Sequence, residues 1–204
     1  MASDSKAVPD QASRRRQIAR AALNCFRRSG FHGASMQDIC AEAGMSAGAL
    51  YRYFPSKAAI IVAIAEAERE SHALMFQPLE EAADPLAALQ ELGANFIRQQ
   101  LDGTSELLTA DVLAEAARNP DVKAALERNA AFAHETVTRA LLRGQDLGVV
   151  DPDLDVAAAC HLIIALGDGL CTQLGGPAQL SADRIVQALQ TMLQRFCRPV
   201  GGRA

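Results

Sequence analysis

The residues of this 204-residue chain with the clearest chemical purpose lie between Ser35 and Lys57. The run Ala47, Gly48, Ala49, Leu50, Tyr51, Arg52, Tyr53 combines small residues with two phenols and a guanidinium. On a helix, small side chains allow close approach to another surface, and Ala49 suits the methyl group of thymine. Arg52 has the planar fork that bonds O6 and N7 of a guanine. The hydroxyls of Tyr51 and Tyr53 can donate to phosphate oxygens. Ser35, Ser46 and Lys57 stand at expected helix starts, where unpaired N–H groups and the helix dipole favour an anion. Together these residues read as a nucleic-acid surface.

Other chemistries find no support. His32, His72, His134 and His161 show neither HxxxH nor HExxH spacing, so no metal site is expected. There is no nucleophile motif, no glycine-rich phosphate loop and no carboxylate–histidine pattern, so neither an enzyme nor a cofactor is expected. The cysteines, Cys25, Cys40, Cys160, Cys171 and Cys197, are odd in number and contain no CxxC, which suits reduced thiols in a cytoplasmic protein. Cys160 and Cys171 fall on one face of one helix about 16 Å apart, too far to bridge within a chain. No apolar run approaches a membrane span, and the first residues lack the apolar core of a secretory signal.

These residues must be positioned by helices, because alanine, leucine, glutamine, glutamate and arginine dominate and no alternating apolar run stands out. Residues 1–12 read as a flexible arm. A first helix opens at Ser13, with Ile18, Ala19, Ala22, Leu23 and Phe26 forming one apolar stripe, and Ser29-Gly30 ends it. Ser35, with Asp38 three residues on, reads as a capping box for a helix from Met36 to Ala43. Gly44 makes a turn and Ser46 caps a short helix from Ala47 to Phe54. A fourth helix runs from Lys57 to about Phe76, before Pro78. Asp84-Pro85, Asn119-Pro120 and Asp151-Pro152 mark further starts. Helices are expected at about 85–100, 105–118, 120–147, 155–173 and 181–197.

The second and third helices with their short turn have the dimensions of a helix-turn-helix. In that unit the later helix enters the major groove. Ile39, Ala43, Leu50 and Phe54 would face inward onto Leu23, Phe26 and Phe31. Charge agrees: the net charge of −4 divides into +5 over residues 1–60 and −9 over the rest. A basic front on an acidic body is the pattern of a nucleic-acid-binding domain joined to something else.

The stretch from Arg15 to Ile64 resembles the DNA-binding domain of the TetR family of bacterial repressors. The most specific part is AEAGMSAGALYRYFPSKAAI, residues 41–60, where Gly44, Ser46, Leu50, Tyr51, Tyr53, Phe54, Ser56 and Lys57 match the family pattern. Met45, Ser35 and Cys40 depart from it. The resemblance implies phosphate contacts by Tyr51, Tyr53 and Lys57. It implies an all-α fold in which residues 13–58 bind DNA and residues 59–198 bind an effector and dimerise. It also implies that the last two helices pair with those of a second subunit.

The apolar helix at 155–173 needs cover on nearly every side. Leu162, Ile163, Leu166, Gly167, Gly169 and Leu170, with Leu189 and Leu193, are therefore the expected dimer interface. The resemblance places a ligand cavity among the middle helices, with Met75, Phe76, Phe96, Gln99, Gln100, Leu113, Phe132 and His134 as its expected lining. Scarce aromatics suit an acyl chain or small lipophile better than a planar cation. The reading is a repressor released from a palindromic operator by a small molecule. Control by a protein partner is the main alternative, and an all-helical enzyme the remoter one.

Overall fold

The computed structural model describes residues 10–101, 110–173 and 181–198, with no side chain described at 100, 101, 110, 111 or 171–173. Among the described residues there are nine helices: α1 Gln11–Gly33, α2 Met36–Ala43, α3 Ala47–Tyr53, α4 Lys57–Glu81, α5 Pro85–Leu101, α6 Ala110–Ala116, α7 Pro120–Asp146, α8 Val156–Gln173 and α9 Ala182–Cys197. No described helix is long and apolar enough to cross a membrane.

Two compact units result. Among the described residues, one holds those up to 67 together with 110–126, and the other holds 68–101 and those from 127 on. The first has a core of Ile18, Leu23, Phe26, Phe31, Ile39, Leu50, Phe54, Ile60, Ile61, Ile64, Val112 and Val122. Every residue expected to face inward from the helix-turn-helix is in it. In the second unit α5 packs along α9. Its core includes Leu79, Leu86, Leu89, Val137, Leu141, Val150, Cys160, Leu193 and Cys197, with a further cluster of Ala94, Ile97 and Val186.

Helix ends follow their caps. Asp10 accepts a hydrogen bond from the Ser13 amide at 2.6 Å, so α1 begins at Gln11, inside the stretch expected to be an arm. Residues 1–9 lie outside the described residues. Gly30 leaves helical geometry at φ 71°, as expected, although a further turn follows it. Asp84 accepts from the amides of Leu86 and Ala87, both at 3.0 Å, and starts α5. Asp151-Pro152 forms a turn instead of a helix start, and Asp155 caps α8 by accepting from the Ala158 amide at 3.0 Å.

The expected break at Pro78 and the glycine inside the expected helix at 120–147 both lie in continuous helix. α4 runs past Pro78 to Glu81. The proline leaves the Leu74 carbonyl without its usual donor, but Leu74 is 72 % exposed, so water can serve that carbonyl. The end of α4 is then held from α7, where Arg143 donates to the carbonyls of Leu79 at 2.9 Å, Ala82 at 2.8 Å, and Glu80. Arg139 adds an ion pair to Glu80. α7 likewise runs through Gly144, because the chain folds back there: the amides of Val149 and Val150 both donate to the Gly144 carbonyl at 3.0 Å. A Cβ at Gly144 would lie 2.5 Å from a Val150 methyl, and Val150 is fully buried.

Candidate nucleic-acid interface

The surface is built on α2 and α3. Ser35 caps α2: its Oγ accepts from the Asp38 amide at 3.1 Å, while the Asp38 carboxylate accepts from the Ser35 amide at 2.8 Å and from the hydroxyl at 2.6 Å. The Ser35 hydroxyl followed by the Ser35 amide holds the Asp38 carboxyl below its ordinary pKa of 3.8. A depressed carboxyl stabilises the fold above the ordinary aspartate range and stops doing so as pH falls through the lowered value. Gly44 ends α2 with φ 63° and ψ 38°, a left-handed geometry that side chains disfavour. Ser46 then caps α3, accepting from the Ala49 amide at 3.3 Å.

α3 is anchored from beneath by Leu50, which is fully buried, and by Phe54 just past its end. Ala47, Gly48, Tyr51 and Arg52 are exposed and Ala49 is partly so. The expected reading face is thus the exposed face, with Tyr51 51 % accessible. Tyr53 is partly buried against the core.

Lys57 is placed differently from its expected role. Its Nζ donates to the carbonyl of Phe31 at 2.5 Å and of Ala34 at 2.7 Å, with His32 at 3.4 Å, and sits 4.6 Å from the centre of the Phe31 ring. The ammonium closes the end of α1, so its donors point into the protein and not toward a phosphate. The position holds a clue: a cation in the first turn of a helix opposes the dipole, which favours a partner elsewhere.

Two side chains of α1 treat the other helix ends alike. Gln17 donates through Nε2 to the carbonyl of Ala43, the last residue of α2, at 2.8 Å. Arg15 donates through Nη1 to the carbonyl of Tyr53, the last residue of α3, at 3.1 Å, and its guanidinium lies 4.3 Å from the Phe54 ring centre. Farther along α1, Asn24 and then Arg28 hydrogen-bond Glu42 at 3.0 and 3.3 Å and lower its pKa. None of these contacts is visible in residue spacing, because each joins positions 14 to 38 apart.

The expected ligand residues do not form one set. Phe76 and Phe132 meet edge to face at 5.8 Å, with Met75 partly buried beside Phe76 in sequence. His134 is two residues from Phe132, hence on the opposite side of α7. It faces α8, stacked on His161 at 5.9 Å, with its carbonyl accepting from the Cys160 thiol at 3.4 Å. Phe96 is partly buried next to Gly167, whose Cβ position lies 3.8 Å from its ring. Gln99 is exposed, Leu113 is 56 % exposed and belongs to the first unit, and the Gln100 side chain lies outside the described residues.

The expected dimer residues also divide. Leu193 is 1 % exposed and is part of its own unit's core. Leu189 and Leu170 pack on Ala94, Ile97 and Val186, and Ile163 packs on the larger cluster. Leu189 also lies against Gly93, 2.8 Å from where a Cβ would be. Leu166, Gly167 and Gly169 are partly buried, and Leu162 is 57 % exposed. The other side of α9 carries Met192 and Phe196, 39 % and 38 % exposed, in a shallow groove of about 740 Å³ with Arg184, Gln187, Ala188, Thr191 and Arg195. α9 has two apolar stripes, and the one chosen from sequence faces α5.

The cysteines described, Cys25, Cys40, Cys160 and Cys197, are free and buried. Burial pushes the Cys197 thiol up to about 11, far from the thiolate needed for reaction. Among the described residues no group of three or more histidine, cysteine or acidic side chains could hold a metal ion.

Comparison with known proteins follows this architecture. Residues 18–64 match the bacterial regulatory proteins of the tetR family, and residues 90–198 match the C-terminal part of BetI-type transcriptional repressors. The HTH-type transcriptional regulator UidR of Escherichia coli K12 is 28 % identical over 189 residues, 88 % of this chain and 90 % of that protein. Salmonella enterica GusR superposes with a TM-score of 0.77 at 28 % identity, covering 93 % of this chain and 97 % of that one. A transcriptional regulator from Saccharomonospora viridis, solved in complex with choline, gives 0.73 at 25 % identity, with 91 % and 98 % covered. With nine described helices, an exposed reading helix and both halves matched, the chain belongs to the TetR family of bacterial transcriptional regulators, DNA-binding and ligand-responsive.

Proposed function

We propose that this regulator is a cytoplasmic repressor that binds a palindromic operator as a homodimer and leaves it when a small lipophilic ligand binds. The observation that carries the DNA reading is the face of α3. Ala47, Gly48, Tyr51 and Arg52 are exposed over a fully buried Leu50, on a helix capped at its start by Ser46. In this reading Arg52 and Ala49 contact bases, and Tyr51, Tyr53 and the helix starts at Ser35 and Ser46 contact phosphate. Lys57 supports the surface without touching it. Residues 13–58 bind DNA, and residues 59–198 bind the effector and dimerise. A two-fold dimer is what two half-sites related by a palindrome require.

The ligand reading rests on Phe76 and Phe132, two partly buried rings that meet edge to face, and on the partly buried Met75 next to Phe76 in sequence. A small cation is the competing effector, because a pair of rings also suits a quaternary ammonium and the Saccharomonospora viridis relative was solved with choline.

The test is a gel-shift titration on the DNA upstream of the protein's own gene, at two salt concentrations. Saturable binding to a palindrome by two chains is expected. Binding of equal strength to any duplex would remove the operator reading. Fatty acids and choline, each added to the complex, then separate the two effector classes, since only the true class releases DNA and raises the melting temperature.

A further inference from the structure

We propose that Arg15 is a positioning residue for sequence recognition, fixing the aim of α3 without touching DNA itself. The inference rests on the DNA-binding reading above. Arg15 is partly buried, and its Nη1 donates at 3.1 Å to the carbonyl of Tyr53, the final residue of α3. The central carbon of the guanidinium lies over the Phe54 ring, 4.3 Å from its centre, and that ring closes α3 from below. One cation therefore fixes both the backbone end of the reading helix and the ring on which that end rests.

The arrangement has a reason in helix physics. α3 is only seven residues long. So short a helix has nearly as many unpaired carbonyls at its end as bonds within it. Its direction must come from outside. Leu50 fixes one point of its underside, and Ser46 fixes its start. Phe54, buried just past the last residue of the helix, is the ring beneath its third point. Arg15 ties that point to the backbone at Tyr53, two residues from Tyr51 and one from Arg52 in the chain. The neighbouring arginines are used differently. Arg14 donates to Gln17 at 2.9 Å, and Gln17 in turn holds the end of α2 through the Ala43 carbonyl. Arg16 is exposed.

A bidentate base contact tolerates little misalignment, whereas a phosphate contact is forgiving. Loss of that tie should therefore harm discrimination more than attraction. The experiment uses the full chain. A duplex enriched by the wild-type protein from a random-sequence pool is compared with a scrambled duplex of the same length. R15Q and R15K are titrated against both over a series of salt concentrations, and thermal unfolding and dimer content are recorded.

R15Q should lower the preference for the enriched duplex by about tenfold or more, on the scale of one lost charge-assisted hydrogen bond. Its salt dependence should match that of wild type. R15K, which keeps a cation within reach of the Tyr53 carbonyl but loses the guanidinium over the Phe54 ring, should recover part of the preference. Equal losses on both duplexes, with a salt slope shallower by about one, would make Arg15 a phosphate contact and overturn the proposal. Unchanged preference in a folded R15Q would overturn it too, as would unfolding of both variants, which would make Arg15 a stability residue only. If the wild-type chain enriches no sequence, the DNA-binding reading itself falls, which separates that failure from this one.

Discussion

Lys57 shows how one side chain can match a family pattern and still do something else here. Its ammonium lies among carbonyls at the end of α1 and over the Phe31 ring. Lys57→Met keeps the stem and removes the charge, so it should destabilise the fold by about 2–3 kcal/mol. Thermal unfolding reads that loss. The salt slope of DNA binding should stay the same, and a drop of about one would restore Lys57 as a phosphate contact. Arg52 is the contrasting case, exposed on the reading face. Arg52→Ala should relax preference at one base pair per half-site at a cost of roughly 1–3 kcal/mol. Competition with duplexes varied at each position would locate that pair, and equal loss on all of them would make Arg52 a phosphate contact. The exposed face of α3 was legible in sequence because small and polar residues alternate with buried ones at helical spacing. The destinations of Lys57, Gln17 and Arg15 were not, because hydrogen bonds to distant carbonyls leave no periodic trace.

At the scale of the element, boundaries set by local chemistry were readable and those set by tertiary contact were not. The Ser35–Asp38 box, Gly44 and Ser46 define α2, the turn and α3 within a residue of expectation. Pro78 misleads because a helix can carry a proline where the residue with the orphaned carbonyl is exposed and the end is secured by Arg143. Gly144 lies within the helix expected at 120–147. It looks like a weak point, but it is there because Val150 folds onto it. Gly144→Ala should therefore destabilise by about 1–3 kcal/mol through overpacking, although alanine is the better helix former. Denaturant unfolding decides between the two effects: a stabilised variant would mean that Val150 moves aside at no cost. α9 fails for another reason. Val186, Leu189, Leu193 and Cys197 form one stripe and Ala188, Met192 and Phe196 another. Periodicity shows both, and only packing shows which one α5 takes.

For the molecule as a whole, the fold class was legible from composition, whereas the packing of residues up to 126 from α6 and the start of α7 with the first unit was not. If a second chain covers the open side of α9, Phe196→Glu should give folded monomers with weak operator affinity, since one half-site is then read alone. Leu193→Glu, placed in the core, should instead unfold the protein. Sedimentation and circular dichroism separate these results, and a stable Phe196→Glu dimer would move the interface elsewhere. α4 contributes to both compact units. Its first turns bury Ile60, Ile61, Ile64 and Ala65, and its last carbonyls are held by Arg143, while Glu66, Ala67, Glu70, Ala73, Leu74 and Gln77 between them are exposed. An ordinary helix frays from its tips. Here amide hydrogen exchange should depart from that order, fastest around residues 70–77 and slowest from Ile60 to Ala65, with the C-terminal turn protected beyond what its position would grant.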